Sequence, residues 1–308
     1  MVSLRALQAL TAIRARGSVA AAAAALGYTP SAISQQLSRL ESQTKTILLE
    51  PYGRTVRLTA AGEQLAAAAD RILHEWESAE ASLERLRGTV CGTVRVAAFP
   101  TVARGLLPQV LAVLSRDQPD LGLSLVETRS HQTLEMLKDG DCDVAVAHDW
   151  PETPLTLPPG IHAELLGSDL ADVVLPAGHR CSGQRRIELK DLAGEHWTAE
   201  PGSVAHDLLV HVLGSEADGP DVRFEVREFP TQVALIASGL AIGLVPRMGR
   251  AQLPGGVLAI PTDPPLERRI YAAIRPVSAP RPSIQAVLAA LRSQWPGAEG
   301  GQRASAGG

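Results

Sequence analysis

The stretch GSVAAAAAALGYTPSAISQQLSRLE, residues 17–41, constrains the fold more than any other part of the chain. It contains a small residue, a glycine and two apolar residues at fixed spacing. This spacing lets two helices approach, permits a tight turn, and holds the second helix on the first. The pattern predicts a helix-turn-helix in which the alanine run is the supporting helix, while two helices of a larger bundle are the alternative. The four pattern positions are Ala23, Gly27, Ile33 and Leu37.

The second predicted helix presents a small polar face. Thr29 is placed to cap it, and Pro30 suits its first turn, where no backbone N–H is needed. Ile33, Leu37 and Leu40 fall on one side, so the polar side chains point away from the core. Short hydroxyl and amide groups can bond base edges in a DNA major groove without holding the helix away. The predicted DNA contacts on this helix are Ser31, Ser34, Gln35, Ser38 and Arg39.

A short hairpin is predicted directly after this helix. The segment EPYGRTVRLT, residues 50–59, has a proline and a glycine at its tip, followed by Val56 and Leu58 alternating around Arg57. Arg54 at the tip is placed to hold phosphates or to enter the minor groove, where the potential is most negative. A solvated surface arginine is the alternative interpretation of Arg54.

The charge of the sequence is divided unevenly. Residues 1–58 hold seven Arg or Lys and two Glu, a net charge of +5. Because the whole chain carries −4, the remainder carries −9. A basic head on an acidic body favours a polyanionic partner for the head alone.

A proline-free stretch after Thr59 predicts one long helix. Its apolar residues recur every seven positions in two rows offset by four, as in a coiled coil. We call this set the seam. A seam next to a DNA-binding unit favours pairing with a second copy of the chain, and burial inside the same chain is the alternative. The seam residues are Leu65, Ala69, Ile72, Trp76, Ala79, Leu83 and Leu86.

The rest of the sequence alternates strands and helices, which indicates parallel sheets in two α/β lobes. One helix is predicted around residues 106–114 and another over 231–238, and the Gly-rich residues 297–308 are predicted to be a disordered tail. The predicted strands lie at 93–99, 121–127, 143–147, 222–226 and 270–274.

Taken together, GSVAAAAAALG, PSAISQQLSRLE and GRTVRLTAAGEQL resemble the amino-terminal domain of LysR-type transcriptional regulators, and the similarity continues through the later segments. The resemblance implies an α+β multidomain protein. Its parts would be a winged helix-turn-helix DNA-binding domain over 1–58, a linker and dimerisation helix over 59–88, and an effector-binding domain over 89–296. Lys45 stands where the family commonly has glycine.

The effector-binding domain would resemble a periplasmic binding protein. Lobe I would comprise about 89–161 and 268–296, and lobe II about 162–267. The resemblance also implies the partners: double-stranded DNA with a dyad operator, a small-molecule effector, RNA polymerase, and further copies in a homodimer or homotetramer. No cofactor or metal ion is expected.

Effector-binding residues are expected where strands end in the cleft and helix N-termini offer free N–H groups. Thr101 and Ser130 match positions at which the family often has a hydroxyl that bonds the effector, and Arg129 is able to pair a carboxylate. A carboxylate-bearing metabolite is therefore the predicted ligand. The alternative is that the hydroxyls cap helices and Arg129 is solvated. The full predicted set is Pro100, Thr101, Val102, Thr128, Arg129, Ser130, Gly202, Ser203 and Thr231.

The sequence holds no recognisable catalytic motif, such as H-E-x-x-H, G-x-S-x-G or a phosphate-binding glycine loop, and no catalytic residue is predicted. The three cysteines are far apart and odd in number, which favours neither a disulfide framework nor a redox switch between Cys142 and Cys181. No export signal or membrane-spanning segment is evident, so a cytoplasmic protein is expected. A cytoplasmic α/β solute-binding or enzymatic protein with an incidental helical head is the alternative function.

Overall fold

A computed structural model describes residues 2–53, 55–214 and 219–296. Two sequence predictions lie outside these residues: the DNA contact of Arg54 and the disordered tail at 297–308.

The amino-terminal head is a three-helix unit followed by a hairpin. Gly27 ends the second helix with a φ of +69°, the left-handed conformation that a turn between two helices requires. Lys45 ends the third helix in the same conformation, with a φ of +51°, although it is not a glycine. The elements are α1 (Leu4–Arg16), α2 (Val19–Leu26), α3 (Pro30–Thr44), β1 (Leu49–Tyr52) and β2 (Thr55–Leu58).

A single long helix, α4 (Ala60–Arg87), joins the head to the rest of the chain. Thr59 caps its start, since its hydroxyl accepts a hydrogen bond from the Gly62 N–H, and Gly88 ends it. Only the amino-terminal part of the seam is buried within the chain: Ala69 is fully buried and Leu65 packs on the core of the head. The later seam residues Ile72, Trp76, Leu83 and Leu86 are 47–84% exposed.

The first lobe begins with three parallel strands, β3 (Gly92–Ala98), β4 (Leu121–Glu127) and β5 (Val144–Asp149), as the sequence predicts. The helix predicted around residues 106–114 is α6 (Leu107–Asp117), and a further short helix that the sequence did not predict, α5 (Pro100–Gly105), precedes it with a break at Leu106. Pro108 in the first turn of α6 accounts for the break, since it lacks the N–H that a continuous helix would use. A third helix, α7 (Ser130–Lys138), precedes β5.

Two long antiparallel strands, β6 (His162–Pro176) and β10 (Val257–Ile274), run through both lobes. Because β10 lies antiparallel to β5, the whole sheet is mixed, and the parallel arrangement predicted from the alternation holds for β3, β4 and β5. The predicted strand 270–274 is the carboxyl end of β10. The strand order in this sheet is β4-β3-β5-β10-β6-β9, in which β9 is Gly243–Pro246.

The second lobe packs its helices on the other half of β6 and β10. The helix predicted over 231–238 begins two residues earlier, with Pro230 in its first turn. The elements of this lobe are β7 (His196–Ala199), α8 (Val204–Leu213), β8 (Asp221–Glu225), α9 (Phe229–Ala237) and β9 (Gly243–Pro246), and α10 (Pro282–Ser293) returns to the first lobe. Separate buried cores form around Val96 and Leu107 in the first lobe and around Trp197 and Leu208 in the second.

Candidate functional site

The third helix of the head separates a buried face from an exposed polar face. Ile33, Leu37 and Leu40 are at most 2% exposed and form the core contact of α3. The five predicted DNA contacts on this helix are all exposed, namely Ser31, Ser34, Gln35, Ser38 and Arg39. The helix therefore presents short polar side chains and one cation to solvent, which suits entry into a major groove.

The hairpin is fixed to α3 by a pair of partly buried hydrogen bonds. The Glu41 carboxylate accepts the backbone N–H of Leu48 at 2.8 Å and that of Leu49 at 3.2 Å. Since Leu49 begins β1, these bonds set the direction in which the hairpin leaves the helix. The register pairs Tyr52 with Thr55 at the closed end of the hairpin.

Three arginines of the head are paired with acids of this chain. Arg14 lies 2.5 Å from Asp70 of α4, and Arg57 lies 2.7 Å from Glu50 across the hairpin. Arg16, at the end of α1, contacts Asp141 in the first lobe. By contrast, Arg39 forms no ion pair with any residue that the structure describes.

A cavity of about 190 Å³ lies between the two lobes. Six of the nine predicted effector residues line it: Pro100, Thr101, Thr128, Arg129, Ser130 and Ser203. The other three lie outside its lining. Val102 is fully buried in the core of the first lobe, Gly202 is an exposed turn residue, and Thr231 is exposed on α9.

The floor of this cleft is built around Arg268 of β10. Its side chain is 3% exposed, and its guanidinium lies 2.6 Å from the Asp169 carboxylate of β6. Arg268 also donates a hydrogen bond of 2.7 Å to the Thr101 hydroxyl at the start of α5. Thr101 thus links the first lobe to the strands that connect the lobes, and its hydroxyl hydrogen remains available as a donor.

At the mouth of the cleft, two arginines share one carboxylate. Glu200 accepts hydrogen bonds from Arg129 at 2.6 Å and from Arg227 at 2.8 Å. Arg129 belongs to the first lobe, whereas Glu200 and Arg227 belong to the second, so the contact spans the cleft. The arrangement already shows that these arginines are able to bind a carboxylate.

The inner wall of the cleft includes a neutral histidine. His148 packs against Phe99 with ring centroids 4.2 Å apart and the rings tilted by 47°, and the Ser130 hydroxyl accepts the backbone N–H of His148 at 2.9 Å. Burial of the imidazole, together with the charge of Arg268, holds the pKa of His148 well below its ordinary value. His148 is therefore uncharged at neutral pH.

Sequence reasoning missed several lining residues because they become neighbours only through the sheet order. Arg268 reaches the cleft from β10, Thr198 from β7, and Trp150 from the end of β5. Among the described residues there is no cluster of three His, Cys, Asp or Glu placed to hold a metal ion. None of the described helices is long and apolar enough to cross a membrane.

An exposed polar helix on a winged head, joined by a long helix to a two-lobed unit with a central cleft, defines a ligand-responsive DNA-binding regulator. Residues 4–63 match the family model described as the bacterial regulatory helix-turn-helix protein of the lysR family. Residues 87–296 match the model of the LysR substrate binding domain. The chain belongs to the LysR family of transcriptional regulators.

Relatives and solved structures agree with this assignment. The chain is 27% identical to the probable HTH-type transcriptional regulator LrrA of Synechococcus elongatus, over 94% of this chain and 96% of that protein. It is 30% identical to a probable hydrogen peroxide-inducible genes activator of Streptomyces viridosporus, over 94% and 93%.

In fold the chain is similar to a full-length OxyR from Pseudomonas aeruginosa, with a TM-score of 0.69, 21% identity and 96% of each chain covered. It is also similar to full-length CbnR complexed with its target DNA, with a TM-score of 0.55, 22% identity, and 95% of this chain and 99% of that chain covered. The matched families and relatives are transcriptional regulators and not enzymes, which argues against the enzymatic alternative.

Proposed function

We propose that the chain regulates transcription by placing α3 in the major groove of an operator, with Ser31, Ser34 and Gln35 at base edges. Ser38 and Arg39 are assigned to the flanking phosphates, and Arg54 to the tip of the hairpin beside them. The observation that carries this proposal is the complete exposure of one polar face of α3 above a fully buried apolar face. A solvated surface helix would not need serine at three of these five exposed positions.

The test is a mobility-shift titration of the full chain with duplex DNA from upstream of its own gene, at several salt concentrations. We expect a specific complex whose affinity falls as salt rises and which resists excess unrelated DNA. Equal affinity for upstream and unrelated DNA would overturn the proposal.

For the cleft, we propose that it binds a carboxylate-bearing effector through Arg129, Thr101 and the neighbouring lining residues. Support comes from the cross-cleft contact, in which a protein carboxylate already sits between Arg129 and Arg227. A ligand carboxylate would exchange with Glu200 for the same donors, which changes the contact between the lobes. Cleft occupancy would in this way alter the relative position of the lobes.

Thr101→Val tests the role of the cleft in regulation, and Thr101→Ser is its matched control. We expect the valine variant to fold and bind the operator but to lose the response of a reporter gene to inducing conditions, while the serine variant responds normally. The hydroxyl is the only polar group removed, and its loss also leaves Arg268 without one acceptor. A normal response of Thr101→Val would contradict the assignment.

We further propose that the regulator is a homodimer or homotetramer assembled through the exposed part of the seam, and that it acts in the cytoplasm, where it meets DNA and RNA polymerase. The support is the exposure of Ile72, Trp76, Leu83 and Leu86 on one helix, a row of apolar side chains that a second copy would cover.

A further inference from the structure

Three buried polar atoms on the inner wall of the cleft have no hydrogen-bond partner among the residues that the structure describes. They are His148 Nδ1, Trp150 Nε1 and Thr198 Oγ1. Trp150 and Thr198 are each 1% exposed, and all three residues line the same cavity. A buried polar group without a partner is costly, so three such atoms in residues that line one cavity point to a bound group that completes them.

The chemistry of these atoms specifies the kind of hydrogen-bond partner that each one needs. The indole N–H of Trp150 is only a donor, so it requires an acceptor. The hydroxyl of Thr198 can donate or accept, and the neutral imidazole of His148 can present either role at Nδ1. These three groups are uncharged, and the buried guanidinium nearby, that of Arg268, is already paired with Asp169.

The charge at the mouth differs from the charge at the inner wall. The side chains of Arg129 and Arg227 are 36% and 62% exposed and carry positive charge, whereas Trp150 and Thr198 are almost fully buried and neutral. A ligand that satisfied both ends would have an anionic end in partial contact with solvent and an uncharged oxygen inside. Apolar lining residues such as Phe99, Leu209 and Leu244 lie along the same cavity.

We propose that the effector is a small monocarboxylic acid that also carries an uncharged hydroxyl or keto oxygen remote from its carboxylate, and that Trp150, Thr198 and His148 bind this oxygen. The inference rests on the proposed function of the cleft and adds the chemical class of its ligand. Because Trp150 and His148 come from the end of β5 in the first lobe and Thr198 from β7 in the second, the oxygen bonds both lobes at once.

The test compares acids that differ only in this oxygen. The probes are 4-hydroxybenzoate against benzoate, 4-oxopentanoate against pentanoate, and 6-hydroxyhexanoate against hexanoate, each titrated calorimetrically into the full chain. We expect at least one oxygenated acid to bind about tenfold or more tightly than its matched acid, because a buried site built for an oxygen disfavours a ligand without it. If no oxygenated acid binds more tightly than its partner, including the case in which none binds, the proposal is overturned.

Two tryptophans provide a matched pair of variants. The indole nitrogens of Trp150 and Trp197 are both buried and unpartnered, but Trp197 does not line the cavity. We expect Trp150→Phe to lower the affinity for the oxygenated acid to that for its matched acid. Trp197→Phe should keep the wild-type preference for the oxygenated acid. Thr198→Val provides a second variant if Trp150→Phe fails to fold. A preference that survives in both Trp150→Phe and Thr198→Val contradicts the proposal.

Operator binding distinguishes a failure of this inference from a failure of the proposed regulatory function on which it rests. If the wild type recognises its upstream DNA and a probe acid binds without the expected preference, only the ligand class is wrong. If a probe acid binds with the preference but no specific DNA complex forms at any salt concentration, the regulatory function fails and the ligand class stands.

Discussion

The guanidinium of Arg275, just beyond β10, lies 2.8 Å from the carboxylate of Glu77 on α4. The same guanidinium donates to the carbonyl oxygens of Leu137 and Cys142, and the Ser278 hydroxyl donates to Glu77. One carboxylate of the linker helix is therefore held by the end of β10, which in turn is tied to the end of α7. These bonds fix the linker helix to the first lobe.

Glu77→Gln should lower the free energy of unfolding by about 1–3 kcal/mol at pH 7. Burial alone would raise the pKa of Glu77, but the hydrogen bonds and charge of Arg275, with Ser278 and Arg281, outweigh burial and lower the pKa below its ordinary 4.5. A lowered folded-state pKa gives stability that is present above pH 4.5 and lost as the pH falls through the folded-state value.

Denaturant titrations at several pH values measure this contribution. The difference in the free energy of unfolding between wild type and Glu77→Gln should shrink as the pH drops below 4.5. Glu75→Gln, which removes an exposed carboxylate on the same helix, is the control and should change little. A difference in the free energy of unfolding that is unchanged at pH 3 would show that the Glu77–Arg275 ion pair is not its cause.

Gln35→Ala should relax sequence preference in DNA binding by about 1–3 kcal/mol at the base pair it contacts, because an amide can form two bonds to adenine. Competition between operator variants, mutated one base pair at a time, locates that position. Gln8→Ala on the exposed side of α1 is the matched control. If both variants retain the wild-type preference, Gln35 does not contact a base.

Charge placed on the exposed seam should separate the protomers. Ile72→Glu with Leu83→Glu puts two carboxylates where apolar residues would meet, at a cost of several kcal/mol. Light scattering at micromolar concentration should find the wild type as a dimer or larger and the double variant as a smaller species. His74→Glu with Ser78→Glu, exposed on the same helix but outside the seam, should keep the wild-type mass. A monomeric wild type would refute the seam as an interface.

Glu200→Gln should strengthen the binding of carboxylates in the cleft. It removes the anion that competes for Arg129 and Arg227, and the expected gain is ~2–5-fold for partly exposed ion pairs. Benzoate and hexanoate should both gain, since neither tests the inner wall. Glu188→Gln, at an exposed position outside the cleft lining, is the control in the same calorimetric titration. Equal affinities for wild type and Glu200→Gln would show that the carboxylate binds elsewhere.

Peroxide should oxidise Cys91 before Cys142. Burial raises the pKa of the Cys142 thiol to about 12, so the reactive thiolate is scarce at neutral pH, whereas Cys91 is partly exposed. Cys142 and Cys181 also lie in different cores, one in each lobe. Mass spectrometry after brief peroxide treatment of the folded protein tests this order. Oxidation of Cys142 as fast as Cys91 would contradict the predicted order.

Local spacing predicted the head well. Gly27, Thr29 and Pro30 each act within a few residues of themselves, so the turn, the cap and the start of α3 follow from the sequence alone. The exposed face of α3 follows from the 3.6-residue period in the same way. The short helix α5 was missed because six residues are too few for apolar spacing to distinguish a helix from a loop.

The sequence predicted only part of the cleft lining, because the rest depends on packing and on the register between strands. Pro100 and Thr101 follow a strand directly, and strand ends are visible in sequence. Val102 follows too, but the helix turns its side chain into the core, and this depends on packing. The pairing of Arg268 with Asp169 requires the antiparallel register of β10 and β6, which connect residues 99 positions apart.

The ion pairs of Arg14, Arg16 and Arg57 change the meaning of the +5 charge of the head. Seven cations in its sequence would suggest a broad surface for the phosphate backbone, yet three are neutralised by Asp70, Asp141 and Glu50. Each phosphate contact releases about one condensed counterion from the duplex. While these three pairs persist, one head has at most four cations for this exchange, a narrow footprint in which geometry, more than total charge, must select the DNA.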